Sequence, residues 1–94
     1  MNKHLSPEKM EKELRLAFSP PFEARIEYLD HRNKMRFQVS KEDKKVIYKS
    51  PLFLMQGQAN IRIPRFFKFR VSMARRMVEE KTGIKLLPWK LQED

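Results

Sequence analysis

Residues 62–70 read RIPRFFKFR, with four cations, three phenylalanines and no acid in nine positions. The fold of the whole chain turns on whether this stretch is helix or strand. On a helical wheel from Pro64, at about 100° per residue, Phe66, Phe67, Val71, Met73, Ala74, Met77 and Val78 cover one broad arc. Arg65, Lys68, Ser72, Arg75, Arg76 and Glu79 cover the other. Gly83 suits the position just past the helix end, and Lys81 suits its last turn. Two residues resist: Arg70 falls inside the apolar arc and Phe69 beside the basic one. In the competing reading Phe67, Phe69 and Val71 form the inward side of a fourth strand, and Ser72 caps a shorter helix ending at Thr82. The long helix accounts for more of the pattern and is the expected form.

Upstream, residues 5–18 read as a helix. Ser6 can cap it, Pro7 fits the first helical position, and Glu8 and Glu11 sit near its positive end. Met10, Leu14, Ala17 and Phe18 recur on one face, and Ser19-Pro20-Pro21 stops the ladder. From Phe22 to Leu29 the pattern changes to alternation, with Phe22, Ala24, Ile26 and Tyr28 on one side and Glu23, Arg25 and Glu27 on the other. Asp30-His31-Arg32-Asn33 are turn formers, and Met35, Phe37 and Val39 alternate again. After the polar turn 41–44, Lys45 to Lys49 gives a third strand with Val46 and Tyr48 on one face, ended by Ser50-Pro51. Residues 52–63 read as a loop with one short extended piece.

The expected fold is α+β: a two-layer sandwich of order α-β-β-β-α, with a three-stranded antiparallel sheet and both helices on one face. The alternative to three strands adds a fourth near 61–71 or 84–87. The whole of 1–94 makes a single small basic domain, with a frayed N-terminus over 1–4 and a C-terminal arm over 84–94. This element order is similar to that of the double-stranded-RNA-binding domain, in order alone. The lysine cluster of that family, at the start of its last helix, has its nearest counterpart in Ser72-Met73-Ala74-Arg75-Arg76, at a different spacing.

The net charge is +9, and its distribution says more than its size. From Lys44 to Val78 there is no acid, while Lys44, Lys45, Lys49, Arg62, Arg65, Lys68, Arg70, Arg75 and Arg76 supply nine cations. The remaining 12 cations of the 21 are balanced by the 12 acids. Such segregation points to a polyanionic partner.

Other chemistries find few residues. There is no cysteine, so thiol catalysis, disulfides and thiolate metal sites are excluded, and a reducing cytoplasm is the expected location. The N-terminal sequence holds no signal-like apolar run, and the longest apolar run, Leu52 to Met55, is far short of the roughly 20 residues a spanning helix needs. His4 and His31 are the only candidates for a base near neutral pH, and no pair of residues has metal-ligand spacing. Gly57 and Gly83 are too few for a phosphate-cradling loop. No cofactor and no enzymatic activity are expected.

The leading expectation is a non-enzymatic nucleic-acid-binding accessory protein, RNA favoured over DNA. Arg62, Arg65, Lys68, Arg75 and Arg76 would contact phosphate, with Arg70 beside them and Lys44, Lys45 and Lys49 widening the patch. Phe69 is the candidate ring for stacking an unpaired base. The plainer account makes the phenylalanines core and the cations the wet face of a helix. In that helix Arg70 needs a partner, for which Glu23 and Glu27 are the candidates. The alternative function is a protein-interaction module, homodimeric or with an acidic partner. Its anchors would be Leu52, Phe53, Leu54, Met55 and Trp89, with the cations as rim. Lipid-surface binding by the basic helix would strip the sheet of its only cover.

Overall fold

The structure is a computed structural model that describes residues 4–92; of the frayed terminus expected over 1–4, residues 1–3 lie outside the described residues. Helix α1 spans Pro7–Ala17, where the Ser6 hydroxyl accepts the Lys9 N–H at 3.1 Å and so caps the first turn. Its buried residues Met10, Leu14 and Ala17 turn toward strand β1, Phe22–Leu29. Strand β2, Lys34–Lys41, runs antiparallel to β1 in an unbroken register from Phe22 opposite Lys41 to Leu29 opposite Lys34. Alternation sends Ala24, Met35, Phe37 and Val39 into the core and Arg25, Glu27, Arg36 and Gln38 to the other face.

The third strand comes in two pieces. Strand β3, Val46–Lys49, and strand β4, Phe53–Leu54, pair with the same edge of β2, Lys49 opposite Gln38 and Phe53 opposite Met35. Pro51 has no N–H to give a ladder and breaks the strand between them. Ser50 keeps the break in register: its N–H donates to the Phe37 carbonyl at 3.0 Å, and its hydroxyl accepts the Phe37 N–H at 2.8 Å. The sheet thus has four strands in the order α-β-β-β-β-α, and the extra strand lies at neither expected place. Residues 64–71 are helix, and 84–87 are extended without a strand partner. The short apolar run 52–55 supplies β4, because it continues the line of β3.

Helix α2 spans Pro64–Thr82 and settles the opening stretch in favour of the long helix. Pro64 fits the first turn, and Gly83 ends the helix at φ 72°, a left-handed conformation that glycine adopts without a Cβ penalty. Phe67, Val71, Ala74 and Val78 are fully buried, and Phe67 meets Phe37 edge-on at 5.8 Å. Both helices cover the same face of the sheet.

The buried seam of α2 is narrower than the apolar arc of the sequence. Met73 stays 45% exposed and Met77 39%. The strands beneath this flank are only four and two residues long, and the sheet ends there. The arm from residue 84 crosses back over the helices, burying Leu86 and Leu91, and Trp89 donates its indole N–H to Glu13 Oε1 at 3.2 Å. Among the described residues, no helix is long and apolar enough to cross a membrane.

Candidate interaction surface on helix α2

The cations of the acid-free window divide into two groups once folded. Arg62 belongs to the framework: its side-chain Nε donates to the Leu5 carbonyl at 2.8 Å, and its own carbonyl accepts the Leu5 N–H at 2.7 Å. Arg75 donates through its two terminal nitrogens to the carbonyls of Ala17 and Leu87, and burial holds its pKa below the ordinary arginine value. Lys44 pairs with Glu23 at 3.1 Å. Lys45 lies in the β2–β3 turn, and Lys49, opposite Gln38, faces the side of the sheet away from the helices.

Arg65, Lys68, Arg70 and Arg76 remain exposed on α2, Arg70 at its edge toward β4. Neither expected carboxylate reaches Arg70. Glu23 and Glu27 alternate onto the opposite sheet face, where Glu23 holds Lys44 and Arg25 while Arg36 donates to Glu27. That bond from Arg36 keeps the Glu27 carboxyl below the usual range. Arg70 instead lies against aromatic faces, 5.2 Å from the Phe53 ring centre and 5.8 Å from Phe69. Its charge also works against the burial that raises the Tyr48 pKa. Arg65 stacks on Phe66 at 4.9 Å.

Among these cations lies apolar surface. Phe69 is 58% exposed, and Leu52 and Leu54 are about half exposed. Phe53 and Met55 point inward, so the anchor segment of the sequence contributes its alternate residues, as strand geometry requires. Trp89 is fastened to Glu13 on the α1 side and does not join this surface. Two clefts meet at Phe69. One, of roughly 400 Å³, opens between β4 and the start of α2, lined by Leu52, Leu54, Ala59, Ile61, Phe66, Phe69 and Arg70. The other, of roughly 420 Å³, runs along α2 between Phe69, Ser72, Met73, Arg76, Met77 and Glu80.

The loop between β4 and α2 fixes the first cleft. Buried Asn60 donates to the Gly57 carbonyl at 2.6 Å and accepts the Arg62 N–H at 2.8 Å, while the Ile61 N–H donates to the Leu54 carbonyl at 2.8 Å. The outward roles of Met73 and Met77 were hidden in the sequence by their place in the apolar arc. One signal was available: that arc spans roughly 160° of the wheel, wider than the roughly 100° stripe a surface helix buries against one layer. Among the described residues, no group of three His, Asp or Glu side chains could hold a metal ion. No known protein family, curated protein or solved structure matches the chain.

Proposed function

We propose that this protein is a recognition module that docks an acidic partner protein on the outward face of α2 and β4. The observation that carries this reading is the joined apolar surface of Leu52, Leu54, Phe69, Met73 and Met77, bordered by Arg65, Arg70 and Arg76. Apolar centre and polar rim is the anatomy of a protein interface, and a contiguous apolar patch left uncovered marks such a site. A phosphate backbone would use the rim and leave the centre unused. The test is a pull-down with the full chain against its Met73→Asp variant, which changes an already exposed side chain. Partners captured by the parent protein and lost from the variant support the reading; an identical captured set overturns it.

A second reading, binding of single-stranded RNA, is favoured by one observation: Phe69 stands exposed with Arg65 and Arg76 on the same side of the helix, a ring and cations suited to base and phosphate. It predicts affinity that falls steeply with salt and that drops on Phe69→Ala, measured by fluorescence anisotropy with single- and double-stranded RNA and DNA. It fails if no oligonucleotide binds at low salt.

A further inference from the structure

We infer that the segment seated on this surface is an acidic amphipathic helix, lying antiparallel to α2 and inserting two apolar side chains seven residues apart. This rests on the protein-recognition reading above. The spacing comes from the clefts. Phe66 lines the first and Met73 the second, and seven residues along α2 correspond to about 10.5 Å at a rise of about 1.5 Å per residue. Side chains at i and i+7 of a helix alongside stand the same distance apart and take one cleft each, the usual anchor pattern for a helix in a groove.

The acidity of the occupant follows from the rim. At about 100° per residue, Arg76 and Arg65 lie on one flank of the Phe69–Met73–Met77 stripe and Arg70 on the other, with Lys68 further round the helix beyond Arg65. One acid, Glu80, lies within the stripe at the C-terminal end of the second cleft, while Glu79 is engaged by the Leu86 N–H at 2.7 Å. A second copy of this chain would bring more exposed cations than acids to the same face, so the two faces would meet with a net repulsion.

The direction follows from the ends. The first turn of α2 holds Arg65 and no acid, so side-chain charge and helix dipole are both positive there; Glu80 lies toward the other end. A partner running antiparallel places its negative C-terminal end toward Arg65 and its positive N-terminal end near Glu80.

The test uses the full chain and three stapled helical peptides, each about five turns long. The first carries leucines at i and i+7 with acids concentrated in its C-terminal half. The second has the same composition with the leucines dispersed around the helix. The third keeps the leucine positions and replaces the acids with lysine. The first peptide is expected to bind in the micromolar range and the other two at least ~10-fold more weakly. Phe69→Ala and Met73→Asp should each weaken the first by at least ~10-fold with unchanged far-UV circular dichroism. The double change Arg65→Glu, Arg76→Glu should move preference toward the third.

Equal binding of the first two peptides overturns the inference, since charge alone would then explain it. If no peptide binds while Met73→Asp still removes a captured protein, the helix is wrong and protein recognition at this face stands. If the parent chain sediments as a dimer and Met73→Asp as a monomer, the occupant is a second copy and the inference falls. If a single-stranded RNA oligonucleotide binds in a Phe69-dependent way and displaces the first peptide, both the inference and the protein reading fall.

Discussion

Arg75 joins the last carbonyl of α1 to the Leu87 carbonyl of the arm, so one guanidinium both closes a negative helix end and fastens the chain that crosses it. Its neighbour Arg76 lines the second cleft and makes no hydrogen bond or ion pair among the described residues. Removing Arg75 leaves two carbonyls without a donor, one of them part-buried. Arg75→Ala is therefore expected to cost about 2 kcal/mol in urea unfolding, and Arg76→Ala less than about 0.5 kcal/mol. Equal costs for the two would mean that the bridge does not support the fold. A sequence cannot separate these neighbours, because both fall on the basic side of the wheel. What divides them is where the end of α1 lands, some 58 residues earlier in the chain. Arg62 was unreadable for the same reason, since its partner Leu5 lies 57 residues away.

Elements were far more legible than single side chains. Ser6-Pro7 began α1, alternation marked β1 and β2, and Gly83 ended α2, each through a local rule of backbone or periodicity. The broken third strand was readable only in part, because Ser50-Pro51 looks the same whether the chain leaves the sheet or rejoins it after a gap. The join depends on the Ser50 hydroxyl, which stands in for a backbone carbonyl as the acceptor of the Phe37 N–H at 2.8 Å. Ser50→Ala leaves that buried N–H unpaired and should cost about 1–3 kcal/mol, with faster amide exchange at Phe37 than in the parent protein. No change in exchange there would show that β3 and β4 hold β2 without the hydroxyl.

At the scale of the molecule, charge is segregated along the sequence, but the +9 overstates what the α2 face presents. Arg62 and Arg75 are absorbed into the framework and Lys44 into an ion pair, so the reach of the α2 face is set by four cations and the apolar side chains among them. The two tyrosines report on the packing that produces this division. Burial raises the pKa of both, and the Tyr28 hydroxyl also donates to Glu11 at 2.6 Å, which the phenolate could not do. A raised phenol pKa favours the folded state at all pH values below the ordinary tyrosine value, about 10, and that contribution is lost as pH climbs above it. Tyrosinate absorbance of the native protein should thus stay low at pH values where a free tyrosine is already half ionised. Tyr28→Phe should flatten the alkaline loss of stability in urea titrations. Ordinary titration of both rings would contradict the packing of Tyr28 against α1.

Trp89 is the one indole in the chain, and its N–H meets a buried carboxylate of α1 from an arm that has no secondary structure of its own. Its fluorescence therefore samples the seating of the arm and little else, while far-UV ellipticity samples the helices. The protein carries a built-in emitter at the joint where residues 84–92 close over its first helix. A shift in emission without a change in ellipticity marks the arm lifting from an otherwise folded domain.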